Sequence, residues 1–187
     1  MSDYGNIMGL SLPGALGDSS RYNIDGACYV SDDVESIICG KIITVKSNIG
    51  GYREISDRLP NVKAIPYGVV FRSAYDAAPN GDGYMSYSSG DPVSVVSHGR
   101  VWALTQKIQT APTPLSEVFV TADGFASRDE SDLEAYGWTF TGRHTKFNGV
   151  FWIVEIQVKQ NFAPNRLGQE AGERLHVAPR QRKPTAK

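Results

Sequence analysis

Apolar and polar residues alternate in several short runs of this chain, with the period of two that is typical of half-buried β-strands. In the clearest run, residues 149–159, every second side chain is apolar: Val150, Trp152, Val154, Ile156 and Val158. Glu155, Gln157 and Lys159 fall on the opposite side of the same run. The pattern therefore predicts a strand with one apolar face and one polar face.

Shorter runs of the same kind are rich in β-branched and aromatic residues, and residues that favour turns separate them. They lie at 27–30, 41–46, 67–75, 117–121 and 138–142. Gly68, inside the third of these runs, predicts a β-bulge. About eight or nine short strands with hardly any helical periodicity predict an all-β fold, a jelly-roll-like β-sandwich or a β-barrel.

The stretch from residue 92 to residue 105 predicts a β-hairpin. Residues 92–97 alternate apolar and hydroxyl side chains over part of their length, and residues 100–105 place Val101 and Ala103 on one face. Between the two runs, His98 and Gly99 are expected to form a tight reversal.

The residues outside these runs divide the chain into three parts: an extended arm at 1–24, a β-domain at 25–162 and a basic tail at 163–187. Glycine, proline and serine interrupt every period in the arm, which is nevertheless rich in apolar residues. The arm is therefore predicted to dock, either against its own domain or against a neighbour, and the tail to become ordered only on a partner. The candidate contact residues are Tyr4, Ile7, Met8, Leu10, Leu12, Leu16, Arg166, Arg174, Arg180, Arg182 and Lys183.

Charge distinguishes the tail from the rest of the chain. Six cations and two anions give residues 163–187 a charge of +4. Because the net charge of the chain is −1, residues 1–162 together carry −5. A net charge this small gives the whole protein no field that would hold nucleic acid or an anionic membrane. The tail is either a solvated terminus or a segment that pairs with an acidic partner.

The sequence offers little that points to catalysis. His98, His144 and His176 are scattered, and none has metal-ligand spacing to a second ligand type. Acid pairs such as Asp32 and Asp33 are typical of solvated loops. No serine stands in a Gly-x-Ser-x-Gly elbow, and no phosphate-binding loop occurs. We therefore expect neither an enzyme nor a bound cofactor or metal.

The remaining composition favours one core without an export or membrane signal. Cys28 and Cys39 are too few for a disulfide-dependent scaffold, so they are predicted to be buried free thiols. The first residues lack a cationic start followed by an apolar stretch, and no run is long enough to span a bilayer.

Three passages carry a resemblance to a known family. Residues 90–102 read Gly-Asp-Pro-Val-Ser-Val-Val-Ser-His-Gly-Arg-Val-Trp, residues 12–18 read Leu-Pro-Gly-Ala-Leu-Gly-Asp, and residues 65–70 read Ile-Pro-Tyr-Gly-Val-Val and lead on to Tyr75. In this order, the set resembles the structural cement, or capsid decoration, proteins of tailed bacteriophages. The resemblance covers about residues 10–125.

The resemblance implies a β-rich protein on the outer surface of an icosahedral shell, made in the host cytoplasm. Such a protein bridges neighbouring subunits of the major capsid protein and strengthens the head against internal DNA pressure. It binds as a homo-oligomer, a dimer or trimer on a symmetry axis. Neither a membrane nor direct contact with nucleic acid is expected.

A second class of function remains open on the residues alone. In a carbohydrate- or receptor-binding β-module of a virion, such as a fibre or spike component, exposed aromatic rings stack on sugar rings. The residues available for such a platform are Trp102, Trp138, Trp152, Tyr84 and Tyr87. Exposure separates the two hypotheses, because rings that belong to the core cannot form a binding platform.

Overall fold

A computed structural model describes residues 11–59, 64–73 and 77–158, which contain twelve strands and no helix. The strands are β1 (Asn23–Val30), β2 (Ser36–Ile38), β3 (Ile42–Ile49), β4 (Tyr52–Ser56), β5 (Pro66–Val70), β6 (Ala78–Pro79), β7 (Met85–Ser88), β8 (Pro92–Thr105), β9 (Glu117–Val120), β10 (Ala126–Ser127), β11 (Leu133–Lys146) and β12 (Trp152–Val158). The predicted all-β sandwich or barrel is confirmed.

Nine strands form one sheet in the order β1-β4-β3-β5-β8-β12-β11-β9-β10. Because β1 also pairs with β8, the first five strands close into a barrel. The remaining strands extend from the second half of β8 as an antiparallel sheet. A separate small sheet has the order β2-β7-β6.

Strand β8 connects the barrel to the antiparallel sheet. Its first half pairs with β1 on one edge and β5 on the other, so that Val96 lies opposite both Ile24 and Val69. Its second half pairs with β12, from Gly99 opposite Val158 to Thr105 opposite Trp152. The 14 residues of β8 run without a reversal.

The predicted hairpin at residues 92–105 is therefore wrong. Gly99 has a φ of +106°, but this conformation lets β8 continue past a close neighbour and does not turn the chain. A Cβ atom on Gly99 would lie 2.7 Å from Cβ of Tyr22, where the chain enters β1. A glycine within a strand here marks a close approach of two chain segments.

Side chains of β8 belong to all three buried clusters of the described chain. Val93 and Val95 pack in a cluster to which each of the five barrel strands contributes. Val101 and Ala103 pack with residues of β9, β11 and β12. Trp102, on the opposite face of β8, packs with Phe125 and Phe151. Buried side chains therefore pack against both faces of β8.

Local predictions from glycine and cysteine fit this architecture. The register between β3 and β5 shifts beside Gly68, where a Cβ would lie 2.5 Å from a Val95 methyl. Cys28 and Cys39 are buried and free, as predicted. Burial raises the pKa of Cys28 to about 12 and that of Cys39 to about 11, so both thiols stay protonated near neutral pH.

Candidate partner-contact surfaces

The described part of the N-terminal arm lies along β8 of its own body. The Gly14 amide donates to the Trp102 carbonyl at 2.8 Å, and the Trp102 amide donates to the Ala15 carbonyl at 3.0 Å. The Gly17 amide donates to the Arg100 carbonyl at 2.8 Å. Residues 14–17 thus occupy the edge of β8 opposite β12, as a short additional antiparallel segment.

Pro13 and Gly14 fasten this segment at the junction between the barrel and the antiparallel sheet. Gly14 has a φ of +76°, and a Cβ there would lie 2.6 Å from the Val70 carbonyl oxygen and 2.9 Å from the Arg72 amide nitrogen. The Arg72 amide donates to the Gly14 carbonyl at 3.0 Å. Only a residue without a side chain fits this backbone conformation in this space.

Of the candidate contact residues, the structure describes only Leu12 and Leu16. Leu12 is 45% exposed, whereas Leu16 is half-buried against the core residues around Val101. Asp18 closes the docked segment with an ion pair to Arg100, at 2.7 Å. The other candidates lie outside the described residues, namely Tyr4, Ile7, Met8, Leu10, Arg166, Arg174, Arg180, Arg182 and Lys183.

Both ends of the described chain are anchored on β8, on opposite edges. Leu16 lies opposite Val101 on one edge, and Val158 lies opposite Gly99 on the other. The docked segment runs antiparallel to β8 and follows a turn in which the Ala15 amide donates to the Leu12 carbonyl at 3.1 Å. The described segments that lead to the two termini are therefore held on opposite edges of β8.

A buried carboxylate lies beneath the docked segment, and the sequence pattern did not identify it. Glu155 on β12 is 1% exposed and accepts hydrogen bonds from Thr141 Oγ1 at 2.6 Å and Arg143 Nη1 at 3.0 Å. The Arg143 guanidinium also lies 5.2 Å from the ring centre of Trp102. A Cβ on Gly17 would lie 2.3 Å from Glu155 Oε1, so the arm covers the carboxylate closely.

A second polar cluster ties three barrel strands together. Asp25 on β1 accepts a hydrogen bond from the hydroxyl of Tyr67 on β5 and forms an ion pair with Arg53 on β4, at 2.7 Å. Burial acts to raise the pKa of Asp25, but the hydrogen bonds from Tyr67 and the Ala27 amide and the charge of Arg53 outweigh it, so the pKa lies below its usual value. Burial and the Asp25 bond raise the pKa of Tyr67, which keeps its proton for donation.

The lowered pKa of Asp25 predicts a loss of stability in acid. Folding strengthens the charged form, so its contribution is complete above about pH 4 and disappears as pH falls through the lower folded pKa. We expect the difference in unfolding free energy between wild type and Tyr67→Phe to narrow below about pH 4, because the variant has lost the stabilising donor. Urea unfolding between neutral pH and about pH 2 measures this difference; a gap independent of pH would contradict the assignment.

The aromatic residues distinguish between the two functional hypotheses. Trp102 and Trp138 are 1% and 3% exposed, and Tyr87 is also buried. Trp152 is half-buried and stacks on His144, with ring centres 5.6 Å apart. Two of the three tryptophans are therefore part of the core and cannot stack on a sugar ring.

The described residues lack two further features, a metal-binding cluster and a membrane-spanning helix. They hold no group of three or more His, Cys, Asp or Glu side chains that could bind a metal ion. They also hold no helix long and apolar enough to cross a membrane. Every fully buried side-chain nitrogen or oxygen among them has a hydrogen-bond partner. The described chain is thus a packed body whose buried polar groups are used within the fold.

Comparison with known families assigns this body to the structural proteins of phage capsids. The matching family is that of the XM1 gp53 minor capsid protein, and the match spans residues 1–158. The chain belongs to this family, and it is therefore a virion protein with a structural role in the capsid. Membership of a phage structural family, as predicted from the sequence, is confirmed. A search of curated proteins found no match.

The extent of the family match agrees with the architecture. The match ends at Val158, the last residue of β12, and includes the docked N-terminal segment. Residues 159–187, which hold the basic tail, lie outside it. A structural capsid family also favours a function without catalysis.

Proposed function

We propose that this protein is a capsid cement, or decoration, protein that binds the outer surface of the assembled shell. It bridges neighbouring subunits of the major capsid protein and stabilises the head against the pressure of packaged DNA. It acts as a homo-oligomer, a dimer or trimer on a symmetry axis of the shell. After synthesis in the host cytoplasm it joins the capsid without catalytic turnover.

The observation that carries this proposal is the family match over a body that anchors two terminal segments. The β body is packed around three apolar clusters, so it can act as a rigid spacer. The described segments that lead to the two termini are held on opposite edges of β8, an arrangement that would let residues 1–10 and 159–187 contact different neighbours. Once one contact has formed, the second becomes intramolecular and gains from a high effective concentration.

Charge supports a role for the tail in this bridging. Residues 163–187 carry +4, whereas the remainder of the chain carries −5. An acidic patch on the shell would attract the tail and accelerate association, and added salt would weaken that attraction. The apolar arm residues, including the exposed Leu12, would supply contact area that is less sensitive to salt.

The alternative function, a carbohydrate- or receptor-binding module, has less support. Its sugar platform requires exposed rings, and Trp102, Trp138 and Tyr87 are all buried. Trp152 remains half-exposed, but His144 already stacks on it. The bridging role requires no exposed aromatic platform.

Binding to capsid shells tests the proposal. Purified full-length protein is mixed at micromolar concentration with shells assembled without it, and the mixture is sedimented. We expect the protein to sediment with the shells and to raise the temperature at which they disrupt, because each bound copy adds contacts between subunits. Variants that lack residues 1–10 or residues 163–187 should each bind more weakly than the full chain.

The controls distinguish surface binding from other roles. Heat-unfolded protein should not sediment with the shells, and protease added after binding should digest the bound protein if it lies outside. Failure of the full chain to bind at micromolar concentration would refute the cement role. Binding to shells that leaves their disruption temperature unchanged would also contradict it.

A further inference from the structure

Leu115 combines two unfavourable properties, a strained backbone conformation and an exposed apolar side chain. It is the only non-glycine residue with a positive φ in the described chain, at +66°. Its side chain is also 81% exposed, the highest value among the large apolar residues described. An exposed apolar residue is by itself ordinary. A strained leucine whose side chain is 81% exposed gains little folding energy from that side chain, which points to a role outside the fold.

The loop around Leu115 is fixed. The Leu115 amide donates to the Phe140 carbonyl at 2.8 Å, and the Phe140 amide donates to the Ser116 carbonyl at 2.9 Å. Pro114 packs so closely on Gly142 that a Cβ there would lie 2.8 Å from the proline ring. Because β11 holds the loop, Leu115 projects from a preorganised backbone and loses little entropy on binding a partner.

The neighbouring face of the sheet indicates what kind of partner fits. Glu117 lies two residues after Leu115, and Glu134 lies opposite Phe119 in the β9–β11 pairing. Glu117, Phe119 and Glu134 share the outer face of the sheet, because Val118 and Val120 point into the core. Both glutamates are exposed. A symmetric pairing of two copies through this face would bring like charges together, which disfavours a second copy.

We propose that Leu115 is a contact residue that inserts into an apolar pocket of the capsid shell, next to cationic groups that face Glu117 and Glu134. The inference rests on the proposed function, and it names the surface through which the body meets the shell. The loop keeps a leucine in a strained conformation because this side chain contributes to binding. Stability and affinity are therefore in opposition at this position.

Substitution of Leu115 by asparagine tests the proposal. Asparagine tolerates a positive φ better than leucine, so the free Leu115→Asn variant should melt about 2 to 4 °C above wild type. Its affinity for shells assembled without the protein should fall about tenfold or more, because the apolar anchor is lost. Ile65→Asn is the matched control, since Ile65 is 78% exposed and has an ordinary φ. This control should leave shell binding unchanged.

Each outcome has a distinct meaning. Opposite changes in melting temperature and affinity at Leu115, with neither at Ile65, support the contact. A lower melting temperature for Leu115→Asn, or wild-type affinity in that variant, overturns it while leaving the cement role intact. Shell binding that is absent in wild type refutes the proposed function itself. Self-association of the free protein that Leu115→Asn abolishes would identify a second copy as the partner and would also overturn the assignment.

Discussion

Replacing Gly14 by alanine is expected to destabilise the protein by more than about 3 kcal/mol, a large loss for a single methyl group. The φ of +76° is costly for any residue with a Cβ, and the added atom would overlap the Val70 carbonyl oxygen at 2.6 Å. Backbone atoms surround the site, so no flexible side chain can move aside. Urea unfolding of the variant and wild type measures the loss.

The local form of this defect is also predictable. The N-terminal segment should detach first, because Gly14 itself donates to the Trp102 carbonyl and accepts from the Arg72 amide. Amide exchange at Trp102 and Arg72 should therefore accelerate more than exchange in the barrel core. Gly81→Ala is the matched control, since a Cβ there meets nothing within 4 Å, and it should change stability by less than about 0.5 kcal/mol. Equal unfolding free energies for Gly14→Ala and Gly81→Ala would contradict the predicted requirement for glycine at position 14.

Local patterns predicted the parts of the fold that local interactions determine. The apolar alternation at 149–159 became β12, although Glu155 on its predicted polar face is buried. Turn-favouring residues separate the strands as predicted, and Gly50 and Gly51 join β3 to β4. Gly50 and Gly51 both have positive φ there, the conformation that tight hairpin turns require. The positions of strands and turns depend on residues that are neighbours in sequence, so they can be predicted from a single sequence.

The path of β8 could not be read in the same way. His98 and Gly99 look like a hairpin turn in sequence, but Gly99 is needed because Tyr22 approaches from a distant part of the chain. Whether a glycine turns a strand or admits a neighbour depends on tertiary packing. The same is true of the docked segment at 14–17, whose partners on β8 are more than 80 residues away.

The candidate contact surface was only partly accessible to sequence reasoning. Composition singled out the apolar arm and the basic tail, and within the described arm it could not separate exposed Leu12 from half-buried Leu16. Pro112 and Pro114 make residues 111–115 a stiff connector, but nothing in the sequence indicates the positive φ of Leu115. Exposure and backbone strain are properties of the packed fold.

The second large loss of stability is expected when Glu155 loses its cationic partner, Arg143. Arg143→Met should destabilise the protein by about 3 kcal/mol, because it leaves a carboxylate that is 1% exposed without a compensating charge. Methionine keeps an apolar stem for Trp102, so the loss reports mainly on charge. Lys107→Met is the matched control: it breaks the more exposed pair with Asp132 at 3.1 Å and should cost less than about 1 kcal/mol.

A double variant separates the ion pair from simple packing. In Arg143→Met/Glu155→Met no buried charge remains, and side chains of similar length fill the space, so most of the stability should return. A double-mutant cycle measures the coupling free energy between the two positions. A coupling close to the loss caused by Arg143→Met alone would establish that the charge of Glu155 requires Arg143. If the double variant is as unstable as Arg143→Met alone, the defect lies in packing beneath Gly17, and the ion pair is not its cause.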